Sequence, residues 1–133
     1  MNIILVGPPG AGKGTQSDKL ASDFNLIKLS TGDILREEIN KKSKLGVEIK
    51  LSIDRGNFVS NEIINDLIKK FLIEKSSFDK LIFDGYPRNI DQAMTLDSLL
   101  INHKQKISCV LNLEVNKEIL IKRISGRQLC SKC

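Results

Sequence analysis

At 133 residues, 41% hydrophobic and 28% charged, the chain suits one domain with its own core and is too short for two. No apolar run approaches the roughly 20 residues of a membrane-crossing helix, and Met1-Asn2-Ile3-Ile4 lacks the parts of a secretory signal, so a cytoplasmic protein is expected. The net charge of +5 suits phosphorylated small molecules, while one Tyr and no Trp leave little on which to stack nucleic-acid bases.

The apolar run Asn2–Val6 predicts a strand, and the pattern from Gly14 to Phe24 a helix. Leu26–Leu29 predicts a second strand. Ser30 is a good N-cap for a helix over Thr31–Asn40. The stretch from Ser30 to Val59 exceeds what a plain crossover needs and reads as a helical insertion, punctuated by Gly46 and Gly56. Ser60 caps the next helix, where Ile63, Ile64, Leu67, Ile68, Phe71 and Leu72 form one apolar stripe. Lys80–Phe83 predicts a third strand. Asn89 caps a helix expected to turn Ala93, Met94, Leu96 and Leu100 inward. Ile107–Leu113 predicts a fourth strand with Cys109 as a small core residue, and Asn116 begins a last helix bearing Ile119, Leu120 and Ile124. Strand and helix alternate, which argues for a parallel sheet covered on both faces.

Between the first strand and helix, Gly7 to Lys13 fits the phosphate-binding loop pattern G-x-x-x-x-G-K. The chain must there expose successive backbone N–H groups toward one point, and side chains would block the approach. The following helix adds its positive end, and Lys13 a mobile cation. The general pattern wants Ser or Thr after the lysine to help hold Mg²⁺; here Gly14 stands there and Thr15 follows. Asp84, at the end of the third strand, is the candidate to help with the metal, although a lone Asp is also a common turn or cap residue.

Three stretches, "GPPGAGKGTQ", "LSTGDILR" (Leu29–Arg36) and "FDGYPRNIDQA" (Phe83–Ala93), resemble in order and spacing the nucleoside monophosphate kinases, and the adenylate kinases above all. The resemblance implies an α/β P-loop core over 1–29 and 60–125 with strand order 2-3-1-4, an AMP-binding insertion over 30–59, and the start of a lid over 126–133. It implies direct phosphoryl transfer from Mg²⁺-ATP to AMP giving two ADP, by a monomer, with no covalent intermediate. ATP would lie on Gly10, Ala11, Gly12, Lys13, Gly14 and Thr15, approached by Arg123 and Arg127. AMP would meet Thr31, Arg36, Asn57, Phe58, Val59, Gly85, Tyr86, Pro87, Arg88 and Gln92, with Arg36 and Arg88 on its phosphate and Gln92 on its base. Lys13, Asp84, Arg88, Arg123 and Arg127 would carry the catalysis. Arg123 and Arg127 also read as cations at a helix C-terminus.

The related kinases of UMP and CMP resemble the chain at the same loops but usually carry Ala where Thr31 stands, which favours AMP here. A nucleotide-binding chain without turnover is the alternative from another class. Cys130-Ser-Lys-Cys133 resembles the first half of the structural zinc site that many long bacterial adenylate kinases carry in the lid, and it also fits a redox pair. The family continues past this point into the lid, further arginines and a fifth strand. The chain is therefore expected to be a shortened kinase whose Ile107–Leu113 strand has an uncovered edge.

Overall fold

The computed structural model describes residues 1–75 and 78–126. Short runs of branched apolar residues form four strands: β1 (Asn2–Val6), β2 (Ile27–Ser30), β3 (Leu81–Asp84) and β4 (Cys109–Asn112). They make one all-parallel sheet in the order β2-β3-β1-β4, as the family resemblance implied. The described residues also form six helices: α1 (Lys13–Phe24), α2 (Thr31–Asn40), α3 (Lys44–Asp54), α4 (Asn61–Glu74), α5 (Ile90–Asn102) and α6 (Lys117–Ser125). None is long and apolar enough to cross a membrane.

Alternation along the strands divides the core in two. Ile4, Leu29, Leu81 and Phe83 face Ile68 and Leu72 of α4 and Leu96 and Leu100 of α5. Ile3, Leu5 and Ile82 face the other way, with Leu20 and Ala21 of α1 packed against their cluster. The buried Asn2 secures the lower end of the sheet. Its Nδ2 donates to Phe78 O (2.9 Å) and Lys106 O (3.2 Å), and its Oδ1 accepts from Leu81 N–H (3.1 Å).

Side-chain oxygens start the helices where the sequence marks them. Ser30 caps α2 through Asp33 N–H, Ser60 caps α4 through Ile63 N–H, and Asn89 caps α5 through Gln92 N–H. A further cap, Ser43, accepts from Gly46 N–H and starts α3. The surplus after β2 is thus two helices, α2 and α3, packed on each other. Gly46 does not punctuate them as expected but lets them touch: a Cβ there would lie 2.3 Å from Glu38 O.

Three expectations of burial fail, at Ala93, Met94 and Cys109. Ala93 and Met94 are exposed, and Gln92 takes the inward place one turn before Leu96. Ile119 and Ile124 of α6 are largely exposed. Cys109 is exposed because β4 is an edge strand, paired with β1 alone, and all four of its residues are accessible. That edge place is the one expected for the Ile107–Leu113 strand.

Candidate functional site

The first strand delivers the glycine loop to the carboxyl end of the sheet. Gly12 takes a left-handed conformation as the N-cap of α1 and has no side chain to occupy the helix end. Lys13 curls back along the loop, and its Nζ donates to Gly7 O (2.8 Å) and Pro8 O (3.0 Å). Its ammonium is thus held at the loop by two neutral carbonyls, which a phosphate oxygen would replace with a charge-assisted bond. Ala11 is buried beneath the loop, and Thr15 is exposed on the first turn of α1. Arg123 reaches in from α6 and donates Nη1 to Gly10 O (3.2 Å), while Ile124 packs beside Gly10. A residue more than a hundred positions away therefore closes one side of the loop.

Asp84 ends β3, which lies between β2 and β1. In the pairing register it lies opposite Leu5 of β1 and Ser30 of β2. Its carboxylate faces Gly14, where a Cβ would sit 3.8 Å from Oδ2, and it accepts a long bond from the buried Ser17 Oγ (3.5 Å). The one Ser17 hydroxyl hydrogen is shared with Gly14 O, the nearer acceptor (2.8 Å). Sequence reading missed Ser17; its one signal is a small polar residue a turn beyond Lys13, on the face of α1 that meets the sheet.

A second cluster gathers at the ends of β2 and β3. Thr31 is buried and donates Oγ1 to Gly85 O (3.1 Å). Arg88 donates Nε to the same carbonyl (2.7 Å) and Nη2 to Thr31 Oγ1 (3.4 Å). The segment between is held from α4: Tyr86 OH donates to Asn65 Oδ1 (2.8 Å), and burial pushes the phenol up to about 12. The Tyr86–Pro87 peptide is cis. Gln92 is only 3% exposed; its Oε1 accepts from Arg88 N–H (2.8 Å) and its Nε2 donates to Asn61 Oδ1 (2.9 Å). Asn61 and Asn65, one turn apart on α4, were also missed, since exposed-looking asparagines in a polar helix start carry no pattern.

The remaining candidates stand apart from this cluster. Arg36 is ion-paired with Asp33 on α2 and folds back over Gly32, in the turn that begins with Thr31. Burial raises the Asp33 carboxyl, but Arg36 and Ser30 together hold it below its ordinary value. Asn57 and Phe58 are exposed, Phe58 by 94%, and Val59 is half-buried; no described hydrogen bond ties them to Arg88. Arg127, Cys130 and Cys133 lie outside the described residues, and with them the zinc expectation. Among the described residues no group of three or more His, Cys, Asp or Glu side chains could hold a metal ion.

The adenylate kinase family model matches residues 5–130. The whole chain is 49% identical to an adenylate kinase of Pelagibacter ubique, 44% to one of Mycoplasma mycoides and 45% to one of Petrotoga mobilis. It spans 62%, 62% and 60% of the length of these three relatives. A glycine loop after β1, the Thr31–Gly85–Arg88 cluster at the ends of β2 and β3 and this sequence likeness have one reading: the chain belongs to the adenylate kinase family.

Proposed function

We propose that the full-length protein to which these residues belong transfers the terminal phosphoryl group of ATP to AMP, giving two ADP. One observation carries the reading. The glycine loop follows β1, Thr31 follows β2 and Gly85 follows β3, so both clusters open from the carboxyl ends of three adjacent parallel strands with Asp84 between them. That end of an open parallel sheet is where such folds bind ligands.

In this reading residues 1–29 and 60–125 are the donor core and 30–59 the acceptor-binding insertion. The loop amides of Gly10 to Thr15 hold the phosphate tail of ATP, and Lys13 leaves the Gly7 and Pro8 carbonyls to neutralise it. Arg123 covers the loop from the other side. Arg88 turns from Gly85 O and Thr31 to grip the AMP phosphate as a two-pronged fork, and Arg36 does the same on leaving Asp33. Asn57, Phe58 and Val59 line the base side, with Gln92 reading the base edge. Gly85, Tyr86 and Pro87 shape the backbone that carries Arg88. The attacking atom is an oxygen of AMP, so the protein's task is alignment and charge neutralisation.

The residues fit a magnesium ion accompanying ATP. Asp84 offers one carboxylate beside the first turn of α1, and Mg²⁺ is commonly bound by one or two carboxylates plus phosphates and waters. Bound there, it would offset charge on the transferring phosphoryl group.

Calorimetric titration of this chain with ATP and with AMP tests the two halves separately. Losing a charge-assisted phosphate bond costs about 1.5–3 kcal/mol, or roughly 10- to 150-fold in affinity. Lys13→Met is expected to weaken ATP by that order and spare AMP; Arg88→Ala should do the reverse. Tighter binding of UMP than of AMP would replace the acceptor, and binding by the full-length protein without ADP formation would remove the reaction.

A further inference from the structure

We infer that Asn61 and Asn89 form a relay that locks the direction of the Gln92 amide, and that this lock selects an amino-purine over an oxo-purine acceptor. The inference deepens the acceptor reading above and rests on it. A side-chain amide has two ends of nearly equal shape and opposite hydrogen-bonding sense, so it discriminates between bases only if it is held against a flip.

The lock is anchored at both ends by backbone N–H groups, which can only donate. Gln92 N–H donates to Asn89 Oδ1 (2.9 Å), so Asn89 must turn its Nδ2 away from that helix start. Asn89 Nδ2 donates to Asn61 Oδ1 (2.9 Å), and Gln92 Nε2 donates to the same oxygen (2.9 Å). At the other anchor Gln92 Oε1 accepts from Arg88 N–H (2.8 Å). Reversing Gln92 would set an NH₂ against Arg88 N–H and an oxygen against Asn61 Oδ1. Reversing Asn61 would set its NH₂ against two donors. The circuit therefore has one consistent orientation, and the amide is nearly buried within it.

Within the described bonds, Gln92 keeps one Nε2 hydrogen and one Oε1 lone pair uncommitted. That donor–acceptor pair matches adenine, whose six-amino group donates and whose neighbouring ring nitrogen accepts. Hypoxanthine presents the reverse, an oxo acceptor and a ring N–H, and needs the reversed amide. Asn61 and Asn89 touch no base in this scheme; they are positioning residues acting through Gln92.

Two isosteric substitutions with the same charge change separate the relay from a general structural or electrostatic role. In Asn61→Asp both carboxylate oxygens accept, so Asn89 and Gln92 keep their bonds. In Asn89→Asp the cap on Gln92 N–H survives, but the donor that fixes Asn61 is gone. Titrating this chain and each variant with AMP and with IMP, Asn61→Asp should keep the AMP-over-IMP preference within about twofold. Asn89→Asp should lower it about tenfold, the worth of one amide hydrogen bond. Asn89→Ser, which also caps without the donor, should follow Asn89→Asp and covers the case that the latter does not fold. Equal behaviour of Asn61→Asp and Asn89→Asp, or an unaltered chain that binds AMP without preferring it to IMP, overturns the relay alone. An unaltered chain that binds no AMP overturns the acceptor reading and the relay together.

Discussion

The glycine loop and the Thr31–Gly85–Arg88 cluster, proposed as donor and acceptor sites, sit side by side at one end of the sheet, yet they are built in different ways. The donor loop is nearly self-sufficient: Lys13 bonds to carbonyls five and six residues before it, and one helix start aligns the amides. The acceptor cluster is an assembly. Thr31 comes from the start of α2, Gly85 and Arg88 from the turn after β3, and Asn61 and Asn65 from α4, and side-chain bonds across 21 to 57 residues join them. A site made by local backbone geometry should tolerate distant damage; a site made by cross-links should transmit it.

The strongest break of this contrast is Gly46→Ala. Its Cβ would meet Glu38 O at 2.3 Å and Ile39 Cα at 3.1 Å, both backbone atoms, so α3 must move off α2. Overpacking of that kind costs about 1–3 kcal/mol, and the loss is read as a lowered Tm. Because α2 carries both Thr31 and Arg36, AMP affinity should fall with it. ATP affinity should stay within about twofold, since α3 packs chiefly on α2 and the glycine loop lies between β1 and α1. Equal loss of both nucleotides would mean that the two sites are not independent.

Gly85→Ala acts inside the assembly and should have a smaller effect on stability. Gly85 has φ +80°, where a side chain costs about 1–2 kcal/mol. The added Cβ would also lie 2.9 Å from Thr31 Oγ1 and 3.1 Å from Arg88 Nη2. Both partners must shift, and AMP affinity should drop roughly tenfold, a loss of about 1.4 kcal/mol, with ATP affinity unchanged. AMP binding that survives this change would show that the Thr31–Gly85–Arg88 contact does not belong to the acceptor site.

The same contrast governs how much could be read from the sequence. The glycine loop was legible as a turn between strand and helix because its pattern lies within one short run, Gly7 to Lys13. The caps at Ser30, Ser60 and Asn89 and the helical insertion were legible because each depends on neighbours in the chain, whereas the strand order followed only from the family resemblance. Asn61, Asn65 and Ser17 were not, because a polar side chain acquires its role only from a partner brought to it by folding. Gln92 shows both sides: its segment marked it as an acceptor residue, but its burial and the Arg88–Gln92–Asn61 link appear only once α4 and α5 are packed. Cys109 lies on the strand whose uncovered edge was expected, and that position rather than its apolarity decides its exposure; Met94 was misjudged because apolarity alone does not say which helix face meets the core.

The smallest expected effect concerns the joint between α2 and α3, on which the acceptor side rests. Glu38 is buried there, and Ser43 Oγ, while capping α3, donates to its Oε1 (2.6 Å). That hydroxyl first, and then Lys41, hold the carboxyl below its ordinary 4.5 against the opposing effect of burial; Lys70, from α4 across a cavity of about 30 Å³, adds to them. A carboxyl depressed in the folded state adds stability that is present above its unfolded value and is lost as pH falls through the folded one. Tm should therefore decline as pH drops below about 4.5, and Glu38→Gln should flatten part of that decline while lowering Tm modestly at pH 7. Glu38→Gln leaves the glycine loop untouched, so ATP affinity at pH 7 should match the unaltered chain. A Tm profile for Glu38→Gln as steep below pH 4.5 as that of the unaltered chain would place the acid sensitivity elsewhere and free the α2–α3 joint from this carboxylate.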